Sequence, residues 1–332
     1  MNLESFWFMA KATVQSSSFH AQISSARTIH GPITIKNKKC FCNRSWTAVK
    51  LIDLLFDFKA VMEILNEEQL TAIETLLPDL YPQSLQVYGY IFQKNRVKSD
   101  HMDVLVDRWP DFRIVLIRPL REKKEDLFKD IYVFSKDGEI LKKLFLETDI
   151  IDWQNYLCLG VDLCYAEIVA SIAATRGATG SNVAVCHMLR LEDPSHLPQV
   201  DSSTVAISSL EESHISLVNE TWKFGEGEHS LSFIKNLICH FPTCCILDAN
   251  GHPVAWILTY AYCAMGMLYT RPEHRRKGYA KILISAMSKR LHAQGYPVFC
   301  FIEEENQPSY RLFTSLGFKE DPSYRAAWFH FN

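Results

Sequence analysis

Thr270-Arg271-Pro272-Glu273-His274-Arg275-Arg276-Lys277-Gly278-Tyr279-Ala280 follows a short apolar segment, Met265 to Tyr269. It opens a run in which Ala280, Leu283, Ile284, Met287 and Leu291 recur at helical spacing. The order reads as strand, turn and helix start. A helix N-terminus leaves its first backbone N–H groups without intrahelical acceptors and carries a partial positive charge, which suits a phosphate. Gly278 lets the backbone pass close to that phosphate, and Arg275, Arg276 and Lys277 add formal charge. The bare spacing Arg275-x-x-Gly278-x-Ala280 also fits an ordinary basic turn ahead of a surface helix, so its neighbours must decide.

Upstream, Cys244-Cys245-Ile246-Leu247 and Val254-Ala255-Trp256-Ile257-Leu258 flank Asp248-Ala249-Asn250-Gly251-His252-Pro253, and Asn-Gly between two apolar runs signals a hairpin. Downstream, Gly295 stops the helix, Val298 to Ile302 reads as a strand, and Asn306 caps a second helix. That helix carries Pro308 in its first turn and ends at Gly317-Phe318. Hairpin, strand, basic Gly turn, helix, strand and Asn-capped helix form an order that chance seldom produces.

From about Ser208 to the C-terminus the chain resembles the GNAT superfamily of acyl-CoA-dependent N-acyltransferases, with Arg275 to Ala280 matching its pyrophosphate turn and Asn306 to Phe318 its second motif. The resemblance narrows to the glycine N-acyltransferase family at Tyr269 to Tyr279, Leu217-Val218-Asn219-Glu220-Thr221-Trp222-Lys223-Phe224-Gly225 and Phe241-Pro242-Thr243-Cys244-Cys245. In the first half, Ser84-Leu85-Gln86-Val87-Tyr88-Gly89 and Asp107-Arg108-Trp109-Pro110-Asp111-Phe112 match the same family. The resemblance runs from about Met62 to the end. It implies a mixed α/β (α+β) fold: a GNAT-type acyltransferase domain at 206–332, after a mixed α/β domain at 62–205 that is a candidate diverged copy of the same fold.

Composition is consistent with that reading. The 332 residues suffice for two cores, and 48% are apolar without an unbroken apolar run of membrane-spanning length. A formal net charge of −3 speaks against a nucleic-acid binder, so the basic cluster reads as a small-anion site. The ten cysteines are scattered in apolar surroundings without zinc-type or secreted-domain spacing, which predicts reduced thiols in an intracellular compartment and no metal. Residues 1–61 differ. Through Lys50 the only acid is Glu4, while Lys11, Arg27, Lys36, Lys38, Lys39, Arg44 and Lys50 are basic and serine is frequent. That composition suits a mitochondrial transit peptide, and equally an unstructured extension or an over-long gene model with a cytoplasmic product.

The pattern elsewhere predicts a helix capped by Asn66 and stopped at Pro78; strands at Leu85 to Phe92, Val104 to Val106, Arg113 to Ile117 and Ile131 to Phe134; and helices at Gly138 to Phe145 and Val161 to Ala174. Gly177 to Leu210 reads as the connection between domains. Ser209-Leu210-Glu211-Glu212 reads as a capping box for a helix through Val218 to Trp222. No phosphate turn is visible in the first half.

Acyl transfer from a thioester needs an anchored pyrophosphate, donors for the developing oxyanion, a neutral amine and a route for protons. The resemblance assigns acyl-CoA binding to Leu268, Tyr269, Thr270, Arg275, Arg276, Lys277, Gly278, Tyr279, Ala280, Asn306 and Phe313, with splayed strands Gly266 to Thr270 and Val298 to Ile302 admitting the pantetheine arm. Backbone N–H groups near Leu268 are the expected oxyanion donors. Where many GNAT enzymes carry an acidic tyrosine this chain has Phe313, and Tyr310, one turn earlier, is the substitute or a core tyrosine. The family's basic glutamate falls at Ala264. Glu304 and Glu305, with Glu303 beside them, are the alternatives, against the ordinary reading of a solvated loop; His274 is another. Arg271, Arg311 and Arg325 are candidates for an acceptor carboxylate.

The resulting expectation is a monomeric acyl-CoA:amino acid N-acyltransferase acting on glycine or glutamine, with no nucleic-acid partner and no membrane span. The small residues Cys263, Ala264 and Gly266 would leave room for such an acceptor. Two rivals stay open: a GNAT acetylating a protein or polyamine, and a non-catalytic CoA binder, which the loss of acid and base at Phe313 and Ala264 keeps in play.

Overall fold

A computed structural model describes residues 62–97, 102–119, 130–198, 205–225 and 227–331. The proposed presequence, 1–61, lies outside the described residues. In chain order the elements are β1 (Glu63–Ile64), α1 (Glu67–Leu76), α2 (Leu85–Lys94), β2 (Met102–Val106), β3 (Ile114–Pro119), β4 (Ile131–Ser135), α3 (Gly138–Glu147), β5 (Leu157–Asp162), α4 (Ala166–Thr175) and β6 (Gly180–Arg190). There follow β7 (Ile207–Ser208), α5 (Ile215–Thr221), α6 (Gly227–His240), β8 (Thr243–Leu247), β9 (Pro253–Thr259), β10 (Met265–Thr270), α7 (Tyr279–Ala293), β11 (Phe299–Glu303), α8 (Gln307–Ser315) and β12 (Lys319–Phe331).

Among the described residues these strands join one sheet in the order β1-β2-β3-β4-β5-β12-β6-β11-β10-β9-β8-β7. Read inward from either edge, the two halves repeat. β1 to β4 form an antiparallel series and β4 runs parallel to β5; β7 to β10 form an antiparallel series and β10 runs parallel to β11. The first half is therefore a second copy of the same strand plan. The halves also exchange their last strands: β12 pairs with β5, and β6 pairs with β11, while β6 and β12 pair with each other. Cys186, Met188 and Leu189 of β6 and Ala326, Ala327, Phe329 and Phe331 of β12 are buried at this centre. Neither half can complete its sheet without a strand of the other.

The hairpin β8–β9, the strand–turn–helix around Gly278 and the Asn306-capped helix stand where the sequence places them, and Asn66 and Gln69 form a reciprocal capping box on α1. Four expectations need correction. Leu85 to Phe92 is helix α2, not a strand: its β-branched and aromatic residues mimic strand composition, while nearly all of its residues are buried in helix packing. Gly89 lets it approach the β9–β10 turn, where a Cβ would lie 2.1 Å from the Tyr262 carbonyl oxygen. The supposed connection Gly177 to Leu210 contains β6, because Gly177, Gly180, Pro194 and Pro198 masked the apolar run Val183 to Leu189 between them. The helix read from Val161 starts at Ala166, since Leu157 to Asp162 is a buried parallel strand. The cap before α5 is Glu211, which exchanges hydrogen bonds with His214, rather than Ser209. Helix α6 carried no expectation.

Exchange of central strands predicts one cooperative unit. Ala327 is fully buried between β5 and β6, so Ala327→Asp should destabilise both halves by about 4 kcal/mol or more, the scale for an unpaired buried charge. Hydrogen exchange at increasing urea should show β3 and β9 opening together in both proteins, at lower urea in the variant. Opening of β3 without β9 would contradict the exchange.

Candidate functional site

The site begins where two parallel strands part. β10 and β11 share a single register pair, Met265 with Cys300. Beyond it β10 bulges against β9 between Gly266 and Tyr269, with Met267 at φ +49°. Gly266 is required here, because a Cβ would fall 2.1 Å from the Tyr260 ring. The bulge takes Met267 and Leu268 out of the β9 register, while β11 stays in register with β6 from Phe299 to Glu303. The strands diverge around a cavity of about 380 Å³.

Its walls are aromatic: Trp222 and Phe224 after α5, Trp256 on β9, Tyr260, Tyr269, Phe301 and Phe313. Burial raises the Tyr260 hydroxyl well above the usual range, so it is a neutral donor. Leu268, Tyr269, Asn306 and Phe313, expected to bind the donor, line this cavity. Asn306 spends its side-chain oxygen on the Ser309 N–H at 3.2 Å, capping α8. Phe313 is buried against Phe318 at 5.0 Å between ring centroids.

At the end of β10 the chain makes one 3-10 turn at Pro272–His274, then passes Arg276 at φ +62° and Gly278 at φ +81° before α7. Left-handed backbone at position 278 favours glycine, and nothing lies within 4 Å of where its Cβ would stand. The open space fronts the N-terminus of a fifteen-residue helix with no acid in its first turn. Arg275, Arg276 and Lys277 are exposed around it. Arg275 is oriented by its Nε, which donates to the Thr270 carbonyl at 3.1 Å, and His274 stacks on Tyr279. Thr270 and Ala280 bracket the turn. Exposed cations and the free N–H groups of a helix start thus stand together beside the strand opening, an arrangement that suits an anion.

The corresponding place in the first half is closed. Helix α3 caps itself with Asp137, which accepts from the Glu139 N–H at 2.8 Å, and Glu139 adds a second acid in its first turn. A Cβ on Gly138 would meet Ile168 at 2.9 Å and Tyr165 at 3.2 Å. The Tyr165 hydroxyl donates to the Ser135 carbonyl at 3.0 Å. Two carboxyl groups and a tyrosine plug occupy the ground a phosphate would need.

The expected catalytic groups divide. Of the three acids after β11, Glu303 lines the cavity, 2.6 Å from Lys223 Nζ. Glu304 faces away, 3.2 Å from Arg325 Nε, and Glu305 is exposed outside the lining. Tyr310 is also outside it. Its hydroxyl donates to Glu320 at 2.6 Å, and that hydrogen bond raises its pKa, which makes it a poorer acid. Burial works to raise the Glu320 carboxyl, but hydrogen bonds from Tyr310 and His187 and the Arg325 charge outweigh it and hold the group below its usual range. Arg325 sits between Glu304 and Glu320 and so is committed to carboxylates of the chain. Arg271 lies on the turn and Arg311 on α8, both outside the cavity lining. Cys263 and Ala264 are buried against α2, so neither shapes the cavity. The sequence reading missed Lys223 as a site residue. Its position between Trp222 and Phe224, ahead of Gly225, was the available signal. Among the described residues no cluster of three or more His, Cys, Asp or Glu side chains is placed to hold a metal ion, and no helix is long and apolar enough to cross a membrane.

Comparison with known proteins fits this geometry. Residues 61–242 match the family described as aralkyl acyl-CoA:amino acid N-acyltransferase, and residues 246–328 match FR47-like protein. The chain belongs to the aralkyl acyl-CoA:amino acid N-acyltransferase family. It is an acyltransferase that takes acyl-CoA as donor and an amino acid as acceptor. Glycine N-acyltransferase from Bos taurus is 30% identical over 283 residues, covering 79% of this chain and 96% of that protein. Glycine N-phenylacetyltransferase from the same species is 29% identical over 261 residues, 72% and 88% of the two chains. Glycine N-acyltransferase-like protein 1 from Homo sapiens is 28% identical over 286 residues, 77% and 92%. The X-ray structure of a Drosophila protein shares the fold, with a TM-score of 0.69 at 21% identity over 82% of this chain and 98% of that one.

One open cradle and one closed one predict a single CoA per chain by isothermal titration calorimetry. Arg275→Ala should weaken CoA by about tenfold, the scale of one charge-assisted hydrogen bond. Gly278→Asp should weaken it further, by backbone strain and repulsion. A stoichiometry of two, or unchanged affinity in both variants, would mean that the turn is not the phosphate site.

Proposed function

We propose that this acyltransferase joins an aromatic acyl group from acyl-CoA to glycine, with glutamine as the second candidate acceptor. The carrying observation is the strand opening itself: a cradle for pyrophosphate at Gly278 leads into an aromatic-walled cavity that contains one carboxylate, Glu303. Aromatic walls favour an aromatic acyl chain through burial and ring packing. The preference for glycine rests on the named relatives.

In this reading the bulge at Met267 and Leu268 aims backbone N–H groups at the thioester oxygen. Glu303 takes a proton from the acceptor ammonium, and the freed nitrogen pair attacks the thioester carbon. The C–N bond forms, the C–S bond breaks, and the sulfur leaves as a thiolate that takes up the second nitrogen proton; the proton on Glu303 passes to solvent. A thiolate is a good leaving group, so Phe313 in place of an acidic tyrosine does not block the reaction. Lys223 and Arg325 neutralise Glu303 and Glu304, which removes the acidic groove that a cationic protein or polyamine acceptor would need.

Thiol release should be followed with benzoyl-, phenylacetyl- and acetyl-CoA against glycine, glutamine, a lysine peptide and spermidine. The reading expects turnover with the aromatic donors and glycine or glutamine, and a kcat in Glu303→Gln lower by about 10²- to 10⁴-fold. Turnover confined to the peptide or spermidine, or CoA binding without any turnover, would overturn it. Mitochondrial import remains part of the proposal and rests on the basic, acid-poor composition of residues 1–61. A fluorescent protein carrying those residues should colocalise with mitochondria, and a diffuse cytoplasmic signal would contradict import.

A further inference from the structure

We infer that Lys223 receives the carboxylate of the acceptor, so that Lys223 and Glu303 together select a free α-amino acid by both of its charges. The inference rests on the acyl-transfer reading above and assigns the acceptor half of that site. Among the described residues lining the cavity, Lys223 is the one cation and Glu303 the one acid. They face each other at 2.6 Å from different elements, Lys223 just after α5 and Glu303 at the end of β11.

The lysine's root is fixed, and its tip is held by exposed contacts, Glu303 at 2.6 Å and the face of Phe224 at 5.1 Å from the ring centroid. Trp222 stacks on Phe233 at 5.5 Å and meets Phe224 edge-on at 5.6 Å. The Gly225 N–H donates to the Trp222 carbonyl at 2.9 Å. A Cβ on Gly225 would fall 1.9 Å from the Asn219 carbonyl oxygen, so the turn closes tightly on α5. The Lys223 side chain itself is 58% exposed on a flexible stem, against 30% for Glu303. An ion pair this exposed is worth at most about 1 kcal/mol, so separating it costs little.

An α-amino acid carries its ammonium and carboxylate on one carbon. Inserted between the two side chains, it gives its ammonium to Glu303 and its carboxylate to Lys223, and no charge is left without a partner. An amine without a neighbouring carboxylate, such as a lysine side chain or a polyamine, would instead place a second cation beside Lys223. The pair thus attracts the zwitterion and repels the competitors, two routes to one selectivity. The arginines do not compete for this role: Arg325 is held by Glu304 and Glu320, and Arg271 and Arg311 stand outside the cavity lining.

The test compares glycine with glycinamide, which keeps the amine and loses the carboxylate, using the donor that turns over fastest in the full-length protein. Wild type should prefer glycine. Lys223→Gln should raise the KM for glycine about 10- to 100-fold, the range for loss of one charged hydrogen bond, and bring the glycine-to-glycinamide ratio of kcat/KM towards one. The KM for the acyl-CoA should hold, and Lys223→Arg should recover part of the preference. An unchanged ratio in Lys223→Gln would overturn the inference and leave acyl transfer standing. Wild-type protein that acylates neither glycine, glutamine nor glycinamide would remove the acyl-transfer reading and this assignment with it.

Discussion

Strand β11 is held along its whole length on one side and at a single point on the other. Its five residues keep register with β6, whereas β10 meets it only at Met265 and Cys300. β10 in turn follows β9 into a bulge at which the Tyr260 ring crowds Gly266 and Met267 takes φ +49°. Two parallel strands bound to different outer neighbours must part, and the parting creates the cavity. Since β6 comes from the first half of the chain, the shape of the second half's site depends on a strand supplied by the first. The exchange is thus more than a way of joining two domains, for it sets one wall of the opening.

The repeat also explains what the first half has given up. Its strands follow the same plan, including the parallel pair β4 and β5. Its helix start, however, carries Asp137 at the N-cap and Glu139 in the first turn, where the second half carries Gly278 and Ala280. Tyr165 and Ile168 fill the adjoining space. The first half supplies instead a central strand and the buried helix α2, whose Gly89 abuts the turn leading into β10.

Elements with local signals were legible in the sequence. The Asn-Gly hairpin, the Gly278 turn, the Asn306 cap and the Gly317 stop each depend on one residue's backbone geometry or capping oxygen, and the structure has all four. Elements defined by distant partners were not. Helix α2 is surrounded by protein, and its β-branched and aromatic residues carry the composition of a strand. β6 earns its place by pairing with β11 and β12, more than a hundred residues away. The same division holds in the site. The basic Gly278 turn is contiguous in sequence, while Glu303 and Lys223 meet across eighty residues. Three adjacent acids look alike in sequence, and only the end of β11 separates Glu303, in the cavity, from Glu304, which Arg325 draws off.

A crystal structure with an aromatic acyl-CoA tests the central claim most directly. The account places the pyrophosphate against the backbone at Gly278, the pantetheine arm between β10 and β11, and the thioester in the aromatic cavity facing Glu303. The claim would be contradicted by a donor bound in the first half at the start of α3, beside Tyr165. Binding in the separate cleft of about 480 Å³ lined by Tyr81, Arg190 and Lys319, with the β10–β11 opening unfilled, would contradict it equally.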